Sequence, residues 1–238
     1  MAQALVPLKD LVQAKSRLAG MMNPSERRAL AQAMFEYVLI VLCNHPQLQR
    51  VTLVSDDPGA SLLAENYGAD YIAESELGCR GLNQVITAAC DRLRQCAAEP
   101  LLVLHGDLPL LSAPDVSAVL ALQAVRGGLV IGCDRHRRGS NLLAFNWASQ
   151  PRFCFGVDSC EAHCRSAEAS GVASQVLYRQ GIALDVDEAR DMLQLMHALA
   201  DAGIHTATLL QNTELGNRIS LALSALEGLP EQDSQHYE

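Results

Sequence analysis

The sequence predicts an α/β protein built on a doubly wound, mostly parallel mixed sheet. Short apolar runs at 3–8, 51–54, 101–104 and 129–132 alternate with longer stretches of helical periodicity, the order of βα units. Leu101-Leu102-Val103-Leu104 and Leu129-Val130-Ile131-Gly132 are apolar without alternation, as central strands are when both sheet faces are covered.

The elements follow in order. Residues 3–8 read as the first strand. Asn23-Pro24-Ser25-Glu26 then starts a helix, with Asn as N-cap, Pro at the first helical position and Glu three residues after the cap. Leu30, Met34, Tyr37, Val38, Val41 and Leu42 continue it at helical spacing, and His45-Pro46 ends it. Val51-Thr52-Leu53-Val54 is the second strand. Ser55-Asp56-Asp57-Pro58 is expected to open a second helix that Gly68 closes, and Tyr71-Ile72-Ala73 is a short strand. A glycine-bearing loop from Gly78 to Asn83 precedes a helix to about Cys96. After the strand at 101–104, Ser112-Ala113-Pro114-Asp115 starts another helix. The strand at 129–132 is followed by a further strand from Leu142 to Phe145. Asp158-Ser159 is expected to cap a helix ending near Gly171. A strand pair around 175–186 and a helix from Glu188 to Ala202 complete the domain. The expected division is a domain over 1–202 and a C-terminal helical extension over 203–238, with a helix from Glu214 to Leu226.

The 238 residues are 49% hydrophobic and 19% charged, a globular mixture with room for a sizeable core. A net charge of −9 argues against a duplex nucleic acid or an anionic membrane as partner. No apolar stretch reaches membrane-span length and the N-terminus lacks a signal-peptide pattern, so a cytoplasmic protein is expected. A homodimer is compatible with these features and not required by them. The eight cysteines form no CxxC pair. Cys160 and Cys164 flank His163 on an expected helix, but no second ligand pair completes a zinc site. His163 reads as a surface or packing residue.

Only two lysines occur, against sixteen arginines, and both lie near the N-terminus. The first strand delivers Lys9, Lys15 and Arg17 to one loop. Lysine is a compact point charge and arginine a planar fork, so keeping lysine here suggests phosphate binding. Asp107 follows a buried strand in His105-Gly106-Asp107-Leu108-Pro109, where ligands bind in open α/β sheets. Its hard oxygens suit Mg²⁺. Asp185-Val186-Asp187 is a second acid pair, and either acid can coordinate. Arg135 to Asn141 is a basic loop that can hold a second anion, with Ser140 donating a hydroxyl. Phe155-Gly156-Val157-Asp158-Ser159 opens a helix whose free N–H groups suit a phosphate or carboxylate. The chain has no Walker A sequence, no GxGxxG after the first strand and no GxSxG elbow.

Together these elements resemble the 2-phospho-L-lactate guanylyltransferase family of coenzyme F(420) biosynthesis, which includes phosphoenolpyruvate and 3-phospho-D-glycerate guanylyltransferases. The resemblance rests on Val6-Pro7-Leu8-Lys9 to Lys15-Ser16-Arg17-Leu18, Glu26-Arg27, Gly81-Leu82-Asn83, Gly106-Asp107-Leu108-Pro109, Gly139-Ser140-Asn141, Phe155 to Ser159 and Leu184-Asp185-Val186-Asp187. It spans residues 3 to about 195 in the family's order.

It implies a nucleotidyltransferase fold of the glycosyltransferase-A type. It implies Mg²⁺-dependent transfer of GMP from GTP to a phosphorylated C3 acid, with release of pyrophosphate. Asp107 and Asp185 match the metal carboxylates, with Asp187 as the alternate. Ser140, Gly156 and Ser159 match the positions that hold the phospho-acid. Lys9, Lys15 and Arg17 match the triphosphate loop, with Lys15 counted among the catalytic residues, and Leu82 and Asn83 fall where base and ribose would lie. Ser stands at 140 where the family usually has Thr, and Glu188-Ala189 where it usually reads Thr-Pro.

A molybdopterin guanylyltransferase or cytidylyltransferase of the same fold stays open as an alternative, although the glycine-rich opening usual in those enzymes is missing. A glycosyltransferase would want Asp-x-Asp after the central strand, which Gly106-Asp107-Leu108-Pro109 does not supply. A non-catalytic nucleotide-binding protein is the remaining reading.

Overall fold

A computed structural model describes residues 1–9, 11, 15–96 and 100–201. The extension expected over 203–238, with its helix, lies outside the described residues. Among the described residues, seven strands form one sheet in the order β3-β2-β1-β4-β6-β5-β7. They are β1 (Ala2–Pro7), β2 (Leu48–Ser55), β3 (Asp70–Ala73), β4 (Leu101–Leu104), β5 (Leu129–Cys133), β6 (Ser140–Phe145) and β7 (Ser174–Leu177). Only β6 runs against its neighbours β4 and β5, and every other pair is parallel. The mixed, mostly parallel sheet is the one the sequence predicts.

Both faces are covered, which explains the apolar strands. On one face Ala4, Val6, Leu102, Leu104 and Ala144 pack under α1 (Pro24–Cys43), α2 (Ala60–Tyr67) and α4 (Ala113–Arg126). On the other, Leu5, Val103, Ile131 and Leu143 meet α3 (Leu82–Leu93) and α5 (Ser159–Ala169). Alternate residues of each strand thus serve opposite cores. Two helices remain: α6 (Gln180–Ala183) and α7 (Ala189–Asp201).

A third apolar cluster joins Leu18, Met22, Leu30 and Met34 to Leu184, Val186, Met192 and Leu195. It clamps the short 3₁₀ turn Ser16–Leu18 against the segment leading into α7. Two distant parts of the chain are thereby held side by side.

The start of α1 matches its sequence signature. The Asn23 side chain accepts from the Glu26 N–H at 3.0 Å, and Glu26 accepts from the Asn23 N–H at 2.7 Å. Other boundaries differ from expectation. The second helix begins at Ala60, because Asp57 has other uses. Its carboxylate takes the Gly59 N–H at 2.8 Å and the Leu11 N–H at 3.0 Å, which ties the loop after β1 to the end of β2.

The expected strand pair at 175–186 is one strand, β7, followed by α6. Arg179 donates to the Asp115 carboxylate at 2.5 Å. A Cβ on Gly181 would stand 2.1 Å from Asp115 Oδ2 and 2.6 Å from the Leu110 carbonyl oxygen, so the chain is drawn onto the start of α4 and cannot continue along the sheet. Strand β6 starts at Ser140, two residues before the expected Leu142.

Asp158 does not cap α5 with its side chain. Its backbone is left-handed at φ 52°, and its carboxylate instead accepts from Arg138 Nε at 2.7 Å. Gly156, at φ 141°, makes the preceding bend that an L side chain resists.

Gly106 shows how closely the sheet edge is packed. A Cβ there would lie 2.2 Å from a ring carbon of Phe35, itself buried in α1. Gly106→Ala is expected to cost about 1–3 kcal/mol, the usual scale of overpacking. Urea denaturation against wild type checks this, and an unchanged midpoint would show that Phe35 can yield.

Candidate active site

The chain leaves β1 towards β2 on one side and later returns through α3 to β4 on the other. The carboxyl ends of β1 and β4 therefore border the crevice at a topological switch point. The Lys15 loop leaves β1, and His105-Gly106-Asp107 leaves β4. Strand β6 is antiparallel, so its beginning, Ser140-Asn141, reaches the same edge.

The Lys15 ammonium lies between two of the predicted acids. Nζ donates to Asp107 Oδ2 at 2.5 Å and to Asp187 Oδ1 at 2.8 Å. The Lys15 side chain is only 6% exposed, so this lysine is an internal counter-ion rather than a solvated loop charge. Burial would lower its pKa, but Asp107 and Asp187 outweigh this and hold it above the ordinary lysine value. Its backbone is left-handed, at φ 56°.

The three acids differ in surroundings. Burial opposes ionisation of Asp107, yet the Lys15 charge, His105 and the hydrogen bond from Lys15 hold its carboxyl below the usual range. Asp185 is pushed up by burial and by the charges of Asp107 and Asp187, against a bond from its own backbone and one from Asn141. Asn141 Nδ2 donates to Asp185 Oδ1 at 3.2 Å and to the Ile182 carbonyl at 2.9 Å. Asp187 is instead joined to Lys15.

Asp107 Oδ1 is buried and takes no hydrogen bond from the described residues. Among those residues, no three His, Cys, Asp or Glu side chains are arranged to hold a metal by themselves. An acid pair with one open oxygen and surplus negative charge has donor chemistry suited to Mg²⁺, which completes its shell with phosphate and water oxygens.

Beside this cluster lie the predicted phospho-acid residues. The Ser140 N–H donates to Ser159 Oγ at 2.8 Å, and both serines are buried. Exposed Gly156 has no atom within 4 Å of where a Cβ would stand, so its positive φ alone calls for glycine. Asn83 spends its amide on Phe155, donating to the carbonyl at 3.0 Å and accepting from the N–H at 2.8 Å. The start of α3, with half-buried Leu82, is thus tied to the loop before α5. Phe155 meets His105 with ring centroids 5.3 Å apart, which closes the circuit back to Asp107.

The sequence matches a known family. The sequence pattern of the family described as "Guanylyl transferase CofC like" covers residues 2–221. The chain belongs to this family. A phosphoenolpyruvate guanylyltransferase from Chloroflexus aggregans is 32% identical over 193 residues, covering 79% of this chain and 94% of the relative. One from Conexibacter woesei is 35% identical over 198 residues, covering 83% and 88%. The fold also matches solved structures. A candidate nucleotide-diphospho-sugar transferase from Desulfovibrio desulfuricans superposes with a TM-score of 0.76 at 15% identity, covering 92% of this chain and 97% of the other. A 4-diphosphocytidyl-2C-methyl-D-erythritol synthase from Anaerococcus prevotii gives 0.55 at 11% identity, covering 84% and 96%.

For this CofC-like guanylyltransferase, the structure brings Lys15, Asp107, Asp185, Asp187, Ser140 and Ser159 to one edge of the sheet. Lys9 and Arg17 are exposed, and no ion pair among the described residues joins them to the acids. The basic loop is not a free anion site. Arg135 pairs with Asp191 and, at 3.8 Å, with Glu188; Arg138 pairs with Asp158; Arg137 lies 5.6 Å over the Tyr178 ring. These partners lie 20 or more residues away, beyond the reach of local sequence patterns. No helix among the described residues is long and apolar enough to cross a membrane.

Three residues were missed by sequence reasoning. His105 and Asn141 sit inside the His105-Gly106-Asp107 and Gly139-Ser140-Asn141 motifs, where nothing local assigns them a role. His163, expected at a surface or in packing, is fully buried and reaches Ser140. Its spacing of four from Ser159, one helical turn, was the available signal.

The raised Asp185 carboxyl gives a signed expectation. An acid raised by folding destabilises the protein once ionised, so its cost is present at neutral pH and vanishes below the unfolded carboxylate pKa. Asp185→Asn keeps an acceptor for Asn141. It is expected to stabilise the ligand-free protein at pH 7 by roughly 0.5–2 kcal/mol. The gain should shrink as pH falls into the carboxylate range, as followed by thermal melts across pH. A variant less stable at pH 7 would contradict this electrostatic account.

Proposed function

We propose that this protein joins GMP from GTP to a phosphorylated C3 acid and releases pyrophosphate, the step that serves coenzyme F(420) biosynthesis in the family it resembles. The observation that carries the reading is Lys15 between Asp107 and Asp187, with Asp185 beside them held by Asn141, the residue next to Ser140. Two subsites for anions thus flank one acid cluster. Of the three acids, the names of the relatives favour phosphoenolpyruvate.

The chemistry needs no covalent enzyme intermediate. A phosphate oxygen of the acid attacks the α-phosphorus of GTP, an O–P bond forms, and the bond to the β-phosphate breaks with its electrons leaving on pyrophosphate. A phosphate monoester is already nucleophilic at neutral pH, so no general base is required. Asp107 and Asp185 would hold Mg²⁺, which when bound supplies positive charge to the triphosphate. Lys15 stands on a flexible stem, and its ammonium can turn from the carboxylates to the leaving phosphates. Arg17, exposed on the same loop, can add to that charge. Ser140, Ser159 and the Gly156 turn would receive the acid. Leu82 and the backbone near Asn83 would border the nucleoside.

Purified protein with Mg²⁺, GTP and each of the three acids tests the reading. Pyrophosphate and the guanosine diphosphate-linked acid should appear together, and no acid-dependent pyrophosphate would refute it. Asp107→Asn is expected to lower turnover by about a hundredfold or more, because it removes charge where phosphate charge is handled. Near-normal turnover in that variant would remove Asp107 from the mechanism. Lys15→Arg should lower turnover by about tenfold or more, since the fork cannot fit between two carboxylates as the ammonium does. Lys9→Arg, at an exposed position, should change turnover by less than about threefold.

A further inference from the structure

The fold hydrogen-bonds both site serines in one direction. Ser159 Oγ accepts the Ser140 N–H, as described above. Ser140 Oγ lies 3.0 Å from His163 Nδ1. Which of these two atoms donates depends on the state of the imidazole.

The opposite nitrogen settles that state. His163 Nε2 lies 2.9 Å from the Cys154 backbone nitrogen, and a backbone N–H can only donate. Nε2 must therefore be an unprotonated acceptor. Burial is the main cause lowering the ring pKa, to about 4; His105 adds to this, and donation from the ring to the Ser159 backbone carbonyl opposes it, so the ring is neutral at pH 7. Its one proton is then on Nδ1, which faces Ser140 Oγ at 3.0 Å as a donor and is shared with the Ser159 carbonyl one turn back. Phe155 packs against the imidazole, with ring centroids 4.9 Å apart and planes at 71°, which fixes the ring's orientation.

Each serine oxygen is thus occupied by a donor from the protein. The two hydroxyl protons are left to point elsewhere, a pattern that offers donors to an anion. From this geometry we infer that His163 is a positioning residue: its Nδ1–H holds Ser140 as a hydroxyl donor to the phosphorylated acid. The inference rests on the proposed function for the identity of the ligand, and it adds the part of the site that aims the hydroxyl. His163 touches no substrate.

Two substitutions separate the halves of the imidazole. The amide nitrogen of His163→Asn stands near Nδ1 and can still donate to Ser140. The longer His163→Gln reaches towards Nε2 and can still accept from Cys154, but gives up the bond to Ser140. Calorimetric titration with phosphoenolpyruvate should show about tenfold weaker binding for His163→Gln, the scale of one lost hydrogen bond, and less than about threefold for His163→Asn. Adding Ser140→Ala to each should abolish the effect of His163→Gln, because the two changes remove one interaction. The Michaelis constant for the acid should rise in His163→Gln while that for GTP stays level.

Equal losses in both variants, or a His163→Gln loss that persists with Ser140→Ala, would show a structural role and overturn the inference. Wild-type protein gives an independent measurement should the variants fold poorly. Imidazole ¹⁵N shifts should report a proton on Nδ1 and none on Nε2 of His163, and the opposite tautomer overturns the inference. So does wild-type protein that binds none of the three acids. Protein that binds phosphoenolpyruvate but releases no pyrophosphate from GTP refutes the transferase reading instead, and leaves the His163–Ser140 coupling measurable.

Discussion

One ammonium and three carboxylates share the carboxyl edge of the sheet. Lys15 contacts Asp107 and Asp187 directly, while Asp185 stands close enough to feel both acids. The same cluster therefore moves two carboxyls in opposite directions. Asp107 is held ionised by the adjacent cation, and Asp185 meets mainly burial and like charge. Breaking a buried ion pair leaves an uncompensated charge, so buried Lys15 depends most on Asp107, and half-exposed Asp187 ties it more loosely to the segment before α7. The charge left over after Lys15 is counted is the electrostatic basis of the proposed Mg²⁺ site.

That balance depends on apolar packing that is remote from the acids only in sequence. The cluster of Leu18, Met22 and Met34 with Leu184, Val186 and Met192 joins the two segments that bear the opposite charges. Asp57 adds a second tether by accepting the Leu11 N–H. Hydrophobic burial supplies the driving force without direction, and the ion pair and these hydrogen bonds supply the register.

The reversed strand β6 has a comparable role. In a parallel strand the residues at the carboxyl edge come last. In β6 they come first, so Ser140 and Asn141 arrive at the edge directly from the basic loop. Asn141 then holds Asp185, and Ser140 connects to Ser159 and His163. One antiparallel strand thus links the acid cluster to the proposed acceptor subsite. The arginines of the preceding loop are drawn off by Asp158, Asp191 and Tyr178, which keeps them from competing with Lys15 for the carboxylates.

The sequence by itself determined the sheet class, the order of strands and helices as far as β7, the capping box of α1 and the motifs that bear Lys15, Asp107, Ser140, Ser159 and Asp185. Each of these is a local matter, set by periodicity, capping chemistry or a residue type directly after a strand. It also placed the chain in its family, because ordered short motifs survive when their neighbours change. Tertiary structure alone decided which of the acids meets Lys15, that Asp158 serves Arg138 rather than α5, and that α6 replaces a second strand. It alone turned His163 inward to Ser140. These depend on partners far apart in the chain, where burial and charge select among several locally acceptable choices. Spacing shows that a side chain is present, but only the packed fold sets which group it faces and hence whether it donates, accepts or neutralises.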